Sequence, residues 1–464
     1  MSLRTSTLIS AVERANLSDG ATISFHHHLR NGDRVMVQVL MACQTLGLRD
    51  LHIAPSSLFP CHADLIPLLH DGVVTRITTS YMNGPLADAV KSGLLPYPVT
   101  LQTHGGRAHA IETGRLAIDC AFIAAPVVDA IGNLSGADGP NACGPLGYAM
   151  VDAAHASRVV GVTDHLASTL SRICIPATQV HDVAKVDSIG EARQIVSGTT
   201  ARDPSANGRA IADMTVGLIA ASGLLRDGFS FQTGAGATSL AVANFLAPVM
   251  ADQGITGRFA AGGVTGPLVD MHRAGLFREI WDVQAFDLAA VDSYRNDPAH
   301  HAMSASKYAS PGRADAIANQ LDVMILGAAQ IDTGFNVNVT QASDGRIIGG
   351  SGGHADTAAV AKLPIVTTTL TAGGFAKVVD QLTCLTTPGD TIGAVVTEAG
   401  IAIGPERPEL VNAARKAGLP IKPFAELEHL ARQQATRLPE PRATGRVIAF
   451  SEYRDGRVID EIRA

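Results

Sequence analysis

The stretch Gly-Gly-Ser-Gly-Gly-His-Ala-Asp-Thr-Ala, residues 349–358, places four glycines in five positions ahead of a helix-forming segment. Glycine lets the backbone approach a ligand closely and adopt dihedral angles that other residues avoid. A glycine turn that leads into a helix points several N–H groups at one place, where a phosphate, a carboxylate or an oxyanion binds. The alternative is an ordinary loop between two elements, and an earlier copy of the stretch favours the ligand site.

That degraded copy, Gly144-Pro-Leu-Gly147, is one of several matches between the two halves of the chain. The matching residues, first copy then second, are Ser24 and Ser230, Phe25 and Phe231, Gly72 and Gly275, Ile77 and Ile280, Asp119 and Asp322, Asp129 and Asp332, Asn133 and Asn336, Asp138 and Asp344, and Gly144 and Gly350. The offsets run from 203 residues (322 minus 119) to 206 (350 minus 144). Matches in one order at a nearly constant offset indicate a tandem duplication, with a joint near residues 196–209 that is rich in turn-forming residues.

Each copy alternates short apolar runs with segments that are apolar at helical spacing. In the first copy the runs are residues 21–25, 51–54, 74–78 and 119–125, and the helical segments are 33–47, 62–69 and 85–93. This alternation predicts an α/β fold with a mostly parallel sheet in each domain. We expect domains at 1–200 and 201–464, the second ending in helices at 408–417 and 424–434 and a hairpin at 447–462. The second domain is expected to carry most site loops, because Pro145 removes a donor from the first glycine turn.

Composition excludes several classes of function. The chain has 464 residues, 46% of them hydrophobic and 17% charged, and a net charge of −7. A nucleic-acid-binding protein would need basic patches, so this balance argues against one. The six cysteines form no C-x-x-C pair, which is typical of reduced thiols. No secretory signal and no apolar run of about 18 residues are evident, so we expect a cytoplasmic protein that does not span a membrane.

A second glycine turn, Gly234-Ala235-Gly236, follows an apolar run and opens a helical segment that reaches Val249. This is where α/β sheets bind ligands, at the carboxyl end of a strand. The turn is not a dinucleotide fingerprint, because Ser239 stands where the third glycine would be. The alternative is that this lone G-x-G is only a tight turn that binds no ligand.

Histidines, an arginine and two asparagines complete the candidates. His26-His27-His28 suggests a metal site, but at most His26 and His28 share a face of an extended segment, and no H-x-x-x-H or cysteine pair completes a ligand set. We therefore predict no metal and a carboxylate-binding His26. In His104-Gly-Gly-Arg107 the arginine fork suits a carboxylate, unless the segment is a solvated surface turn. Asn336 and Asn338 present two amides to a substrate or form a sheet edge.

These motifs together resemble the citrate lyase alpha subunit family. The resemblance is carried by residues 230–236 (SFQTGAG), 335–339 (FNVNV), 351–358 (SGGHADTA) and 453–460 (YRDGRVID), and it extends through residues 24–27 (SFHH), 104–107 (HGGR) and 146–149 (LGYA). It implies a CoA-transferase fold of two tandem α/β domains. It also implies a transferase that converts an acetyl thioester and citrate into a citryl thioester and acetate, with no tightly bound cofactor. The thioester is carried by an acyl carrier protein (gamma) subunit, or by CoA. The implied partners are this subunit, the citrate lyase beta subunit and further copies of the chain.

The implied chemistry assigns a role to each candidate. Each step passes through an oxyanion that backbone N–H groups stabilise. Gly352, Gly353, Ser351 and Asn336 are the predicted catalytic residues. The predicted thioester-binding residues are Gly234, Ala235, Gly236 and His354, and the predicted acid-binding residues are His26, His104, Arg107 and Asn338. Other CoA-transferases use a glutamate carrier, but residues 259–267 contain none, so we expect direct transfer.

The sequence also departs from the family. Family members often carry Arg-Gly-Arg after the strand that follows the glycine loop, whereas residues 367–375 read TTTLTAGGF. The acid could therefore be another di- or tricarboxylate, such as citramalate. The same fold would also suit a non-catalytic, ligand-sensing subunit, and the histidine run would suit a metal-dependent hydrolase.

Overall fold

The computed structural model describes residues 5–196, 204–234 and 236–464. Half of the expected joint at 196–209, residues 197–203, therefore lies outside the described residues, and so does Ala235. The joint ends where Ser205 begins a long helix: its side chain accepts a hydrogen bond from the Gly208 N–H, the usual arrangement of an N-cap.

The first half of the chain builds a sheet from seven parallel strands in the order β10-β8-β5-β1-β2-β3-β4. The strands of this half are β1 (Thr22–Phe25), β2 (Leu51–Pro55), β3 (Val74–Thr79), β4 (Val99–Leu101), β5 (Cys120–Ala124), β6 (Val127–Asp129), β7 (Leu134–Ser135), β8 (Arg158–Thr163), β9 (Leu166–Ala167) and β10 (Asp182–Lys185). Its helices are α1 (Leu8–Ala15), α2 (Val35–Thr45), α3 (Ile66–His70), α4 (Pro85–Lys91), α5 (His104–Glu112) and α6 (Gly147–His155). The predicted helix at 62–69 is in fact a 3₁₀ helix, Pro60–Leu65, followed by α3.

The second half builds an eight-stranded sheet in the order β14-β13-β12-β11-β15-β18-β22-β23. Its strands are β11 (Ser230–Thr233), β12 (Gly257–Val264), β13 (Phe277–Ala285), β14 (His300–Ala302), β15 (Val323–Gly327), β16 (Gln330–Asp332), β17 (Val337–Asn338), β18 (Leu363–Thr367), β19 (Thr371–Ala372), β20 (Phe375–Ala376), β21 (Val378–Val379), β22 (Ala394–Thr397) and β23 (Gly400–Ile403). Its helices are α7 (Ala206–Ala221), α8 (Ala237–Asp252), α9 (Gly266–Arg273), α10 (Leu288–Asn296), α11 (Ala305–Ala309), α12 (His354–Ala358), α13 (Pro408–Lys416) and α14 (Phe424–Gln434).

The two sheets have the same topology. The counterparts of β1, β2, β3, β4, β5, β8 and β10 are β11, β12, β13, β14, β15, β18 and β22. With these replacements the first order becomes β22-β18-β15-β11-β12-β13-β14. This is the order of the second sheet read from its other end, without the antiparallel edge strand β23. The small sheets β7-β6-β9 and β17-β16-β21 correspond in the same way. The predicted α/β duplication with mostly parallel sheets is thereby confirmed. Central strands such as β5 and β15 are apolar because both of their faces are covered.

The end of the chain returns to the first sheet. Strand β24 (Val447–Glu452) runs parallel to β4 and pairs antiparallel with β25 (Val458–Arg463), as expected for the predicted hairpin. The first sheet therefore has nine strands, two of which come from the last part of the sequence. The domain limits 1–200 and 201–464 stay a prediction.

The glycine turn of each repeat, at residues 144–147 in the first and 349–353 in the second, packs against the other repeat. A Cβ on Gly144 would lie 2.7 Å from the Ala285 Cβ at the end of β13, and one on Gly147 would collide with the Val283 carbonyl. In the same way, a Cβ on Gly350 would collide with the Ser80 carbonyl just after β3. Each repeat thus inserts its glycine turn against the end of the third strand of the other repeat, and this junction holds most of the candidate residues.

Candidate active site at the junction of the two repeats

The glycine loop of the second repeat is joined directly to the first repeat by backbone. Thr103 and Gly352 form a parallel β-bridge, and the His104 N–H donates to the Gly352 carbonyl at 2.8 Å. The Gly352 N–H donates to the Ser80 carbonyl at 3.2 Å, and Gly352 has a φ of +51°, a conformation that favours glycine. The loop is therefore fixed on the first repeat by two backbone hydrogen bonds of Gly352.

Asp356, a residue of α12, adds further contacts between the glycine loop and the first repeat. Its carboxylate accepts hydrogen bonds from the Gly105 N–H at 2.7 Å and the Thr103 hydroxyl at 2.8 Å, so it caps α5 of the other repeat. Burial raises the pKa of Asp356 to about 6, against the opposing effects of Arg454, the Gly105 N–H and the Thr103 hydroxyl. The carboxylate thus stabilises the partner helix rather than only its own helix start.

The loop offers fewer free amides than its sequence suggests. The N–H of Gly352, one of the two predicted oxyanion donors, is already paired with Ser80 and is not available in this conformation. The N–H of Gly353 meets no acceptor among the described residues. Gly353 also lies against the Tyr308 hydroxyl so closely that a Cβ would collide with it. Gly353 is therefore the stronger candidate donor. Ser351, also predicted to be catalytic, is buried and its hydroxyl accepts from the Ala355 N–H at 3.3 Å.

Tyr308 connects this loop to the other glycine turn. Its hydroxyl accepts a hydrogen bond from the Gln232 side chain at 2.7 Å, and Gln232 lies in β11, two residues before Gly234. The Gly234 N–H donates to the Ile325 carbonyl at 2.9 Å, while Gly236 is exposed at the N-cap of α8. Both glycine turns of the second repeat thus lie at one end of its sheet. Among their described glycines, Gly236 is exposed, whereas Gly234, Gly352 and Gly353 are half-buried.

His354 faces into the second repeat. Its ring lies 2.8 Å from the Thr387 hydroxyl and 2.9 Å from the Gly327 carbonyl at the end of β15. Burial lowers the pKa of His354 to about 4, so the ring is neutral near pH 7. The network then places the proton on Nε2, toward the carbonyl, and leaves Nδ1 to accept from the hydroxyl. The predicted thioester-binding role of His354 would have to act through this fixed ring.

A cluster of aromatic and imidazole rings covers the first-repeat side of the loop. Tyr148 lies between the rings of His27 and His104, with centroid distances of 4.8 and 4.5 Å. His28 stacks on the His27 ring at 6.3 Å. Burial lowers the pKa of His27 and His28 well below the usual value, and burial with Arg107 lowers the pKa of His104 to about 3. All three histidines are neutral near pH 7.

Several polar atoms in this cluster are buried without a hydrogen-bond partner among the described residues. They are both ring nitrogens of His28, Nδ1 of His104, and the side-chain carbonyls of Gln232 and Gln284. Gln284 belongs to the second repeat and donates to the His27 carbonyl at 2.8 Å. An unpaired buried polar group costs about 1–3 kcal/mol, so these side chains need partners from outside the protein, such as water or a polar ligand.

Arg107 and His26 lie deeper than the acid-binding role requires. The Arg107 guanidinium makes two hydrogen bonds to Asp152, at 2.8 and 2.7 Å, and a third to the Ala54 carbonyl. The His26 ring contacts the same carboxylate at 3.0 Å. Burial alone would raise the pKa of Asp152, but Arg107 and His26 hold it well below the usual value. The two terminal nitrogens of the guanidinium are thus engaged inside the first repeat, while Nε has no partner among the described residues.

The comparisons with known proteins decide the family. The family model described as "Citrate lyase, alpha subunit (CitF)" matches residues 3–464. The citrate lyase alpha chain of Escherichia coli (strain K12) is 43% identical over 458 residues, which cover 98% of this chain and 89% of the relative. The chain belongs to the citrate lyase alpha subunit family. The resemblance drawn from the sequence motifs is therefore confirmed.

Solved structures of this family and of more distant proteins share the fold. A citrate lyase alpha subunit from Streptococcus mutans, solved in complex with citrate, is 40% identical and superposes with a TM-score of 0.95, covering 100% of this chain and 93% of that one. A 4-hydroxybutyrate CoA-transferase from Porphyromonas gingivalis superposes at 0.57 with 17% identity, covering 93% and 98%. The second likeness shows the predicted CoA-transferase-like fold alone.

Asn336 and Asn338 lie away from this junction in the hydrogen-bond network. The Asn336 side chain donates to Asp332 at 3.1 Å and accepts from the Gly389 N–H at 2.9 Å. The Asn338 amide is buried and donates to Gln330, to Thr383 and to the Gln341 carbonyl. Both side chains fix loops around β16 and β17, as Asn133 does in the first repeat through Asp129. Their predicted roles in binding and catalysis stay predictions.

Sequence reasoning missed Tyr148, Tyr308, Gln284 and Arg30 at the junction. The duplication contained a signal for one of them, because the offset of 206 residues that relates the glycine turns makes Tyr148 the counterpart of His354 (354 minus 206). The other three, Tyr308, Gln284 and Arg30, belong to no motif and to no match between the repeats. In the described part of this family member, no three His, Cys, Asp or Glu side chains are arranged to hold a metal ion, and no described helix has the length and apolarity to cross a membrane.

Proposed function

We propose that this chain exchanges acetate for citrate on a thioester, as the alpha subunit of a citrate lyase. Membership of the family supports an enzymatic role in citrate lyase. The solved Streptococcus mutans relative binds citrate, which supports citrate as the acid. The proposed thiol is that of an acyl carrier protein subunit, with CoA as a substitute, and the proposed partners are this subunit and the beta subunit that cleaves the citryl thioester.

The observation that carries the proposed chemistry is the Gly353 amide, which is free among the described residues and lies at the junction beside a group of unpaired polar side chains. A carboxylate oxygen of citrate attacks the acetyl carbonyl, and the carbon–sulfur bond breaks, which leaves a mixed anhydride and a thiolate. The thiolate then attacks the citryl carbonyl of the anhydride, and acetate leaves. Each attack forms an oxyanion, and a fixed N–H donor stabilises it by about 2.7–4 kcal/mol.

The end of β12 supports direct transfer without a glutamyl-enzyme. A Cβ on Gly262 would collide with the Gln232 side chain, and one on Gly263 would collide with the Phe286 ring. Gly262 also has a φ of +103°, which disfavours any other residue. A glutamate at either position would collide with these side chains, which supports a reaction in which the acid itself supplies the attacking carboxylate.

The test is release of labelled acetate. The purified chain is mixed with acetyl-CoA labelled in the acetyl group and with citrate, citramalate, malonate or itaconate in separate reactions. We expect acetate release and a new acyl-CoA with citrate, and less with the other acids. No release with any acid, even when the carrier subunit carries the acetyl group, would overturn the proposal. An enzyme adduct that borohydride reduces after incubation with acetyl-CoA alone would overturn direct transfer.

A further inference from the structure

Arg30 places a cation between the two repeats, beside the candidate site. It follows the histidine run and opens a 3₁₀ turn, Arg30–Gly32, before α2. The guanidinium carbon lies 5.2 Å from the centroid of the Phe59 ring, in the first repeat, and 4.6 Å from that of the Phe286 ring, in the second. Two aromatic faces from different halves of the chain therefore hold one guanidinium at the junction.

The backbone at Arg30 is in an unusual conformation. Its φ is +51°, in the left-handed region that residues with a side chain rarely adopt. The Arg30 N–H donates to the His27 carbonyl at 2.9 Å, which ties this turn to the histidine run. Strained backbone of this kind persists where the surrounding structure imposes it, and it recurs at ligand sites.

Among the described residues, Arg30 pairs with no carboxylate. Within residues 5–196, 204–234 and 236–464, the Arg30 guanidinium forms no ion pair and donates no hydrogen bond to a protein acceptor, although the side chain is partly buried. Burial lowers the pKa of Arg30, with opposing effects from Tyr81 and Tyr148. Arg107 shows the contrast, because its guanidinium is fully neutralised by Asp152. A partly buried cation without a counter-ion favours binding of an anion.

The surroundings of Arg30 connect it to the glycine loop. The Tyr81 ring is tilted against the Phe59 ring, with 5.5 Å between the ring centroids, and its carbon Cε2 would lie 3.3 Å from a Cβ on Gly349. On the other side, the Tyr148 ring lies 5.9 Å from His28, whose two ring nitrogens have no partner among the described residues. Phe59 and Tyr81 thus connect the cation to the glycine loop that carries the Gly353 amide.

We propose that Arg30 binds a second, non-reacting carboxylate of the acid, and so restricts the acceptor to acids with at least two carboxylates. This inference rests on the proposed transfer reaction, in which one carboxylate of the acid attacks the thioester. The planar guanidinium fork matches a carboxylate in two parallel hydrogen bonds, while its faces stay on Phe59 and Phe286. Phe286 occupies the space that a side chain on Gly263 would need, so the end of β12 supports the arginine in place of a glutamate.

The test compares three variants of the full-length chain. Arg30→Gln removes the charge, Arg30→Lys keeps the charge without the fork, and Phe286→Leu keeps the arginine without one aromatic face. Arg34→Gln is the matched control, because Arg34 lies four residues away, is exposed and pairs with Glu191 at 3.5 Å. Binding of citrate, of tricarballylate and of acetate is measured by calorimetry, and KM for citrate and for acetyl-CoA is measured from acetate release.

We expect Arg30→Gln to weaken binding of citrate and of tricarballylate by about 10- to 100-fold, the usual effect of losing hydrogen bonds to a charged group. Its KM for acetyl-CoA should change little. Arg30→Lys and Phe286→Leu should lose less, and Arg34→Gln should match the wild type. Unchanged citrate binding in Arg30→Gln would overturn the inference, and so would equal loss of acetyl-CoA and citrate affinity. If Arg30→Gln does not fold, Arg30→Lys decides by the same criterion.

The outcome separates this inference from the proposed function. Citrate binding that depends on Arg30, with no acetate release from any thioester, would leave the carboxylate site standing and overturn the transferase. Acetate release that is independent of Arg30 would leave the transferase standing and overturn the carboxylate site. A wild-type chain that binds neither citrate nor tricarballylate would overturn the inference.

Discussion

At the scale of single residues, Gly353 is where conformation and proposed chemistry meet. Gly353→Ala keeps the backbone N–H but drives a Cβ into the Tyr308 hydroxyl, so the loop must move. We expect acetate release to fall by about 10²–10³ in kcat, the usual effect of displacing one oxyanion donor. The measurement is steady-state acetate release with acetyl-CoA and citrate, with KM values determined separately.

Two further variants make the result specific. Tyr308→Phe in the Gly353→Ala background removes the colliding hydroxyl and should restore part of the activity. Gly266→Ala is the control, because the nearest atom to its Cβ would lie 3.5 Å away, an ordinary contact. Full activity in Gly353→Ala would show that this amide is not the donor.

The raised pKa of Asp356 predicts that the stability of the protein depends on pH. Its pKa is raised to about 6 in the folded protein by burial, whereas an unfolded aspartate titrates near 4. The folded state therefore keeps the proton over a range in which the unfolded state has lost it. The contribution of Asp356 to stability is then highest below about pH 4, falls between pH 4 and 6, and is about 3 kcal/mol lower above pH 6.

The pH dependence is measured as a difference between two proteins. The free energy of unfolding of the wild type minus that of Asp356→Asn should fall as the pH rises from 4 to 7, because asparagine does not titrate. Asp270→Asn, an exposed carboxylate on α9, is the control and should give a much flatter difference. A rise of the Asp356→Asn difference over this range would contradict the raised pKa.

At the scale of elements, one buried carboxylate holds α5, α6 and the end of β1 together. Asp152 binds Arg107 and His26, and all three side chains are almost completely buried. Asp152→Asn leaves the Arg107 charge buried without a full counter-ion. We expect a loss of about 3–5 kcal/mol in the free energy of unfolding, measured with urea and circular dichroism.

The cost arises from the uncompensated charge, not from the absence of a favourable pair. Replacing both partners by apolar residues, as in Arg107→Met with Asp152→Leu, should therefore lose much less than Asp152→Asn alone. Arg14→Gln removes an exposed pair with Asp182 and should cost less than about 1 kcal/mol. Equal losses in the single and double variants would contradict the argument.

At the scale of the whole molecule, the duplication was predictable and the junction was not. The nearly constant offsets between the repeats indicate that the second sheet repeats the strand order of the first, because each copy folds by the same local pattern. No local pattern shows that the glycine turn at 349–353 packs on Ser80 of the other repeat, since that contact joins backbones far apart in sequence. For the same reason Arg107 looked free to bind a substrate, although Asp152 engages it.

The terminal hairpin shows the same limit of sequence reasoning. The hairpin at 447–462 depends on a local strand pattern and was correctly predicted, and its turn lies at Asp455 and Gly456. Its place on the first sheet depends on the free edge of β4 and on Glu452, which accepts hydrogen bonds from Gln102 and Arg115 of the first repeat. These partners are separated from Glu452 by more than 300 residues, and no spacing in the sequence relates them.

The pairing of β24 with β4 leads to a prediction about the stability of the entire chain. A chain that ends at residue 440 lacks β24 and β25 and exposes the β4 edge, whose unpaired backbone groups favour pairing with other chains. We expect a lower midpoint of thermal unfolding and concentration-dependent association, measured by calorimetry and light scattering. Val458→Lys, an exposed change on the outer strand β25, keeps the hairpin and should leave both properties unchanged. Because Arg454 approaches the buried Asp356 at 3.6 Å, the truncated chain should also lose acetate release. A truncated chain that stays monomeric and keeps full stability would show that the hairpin does not stabilise the first sheet.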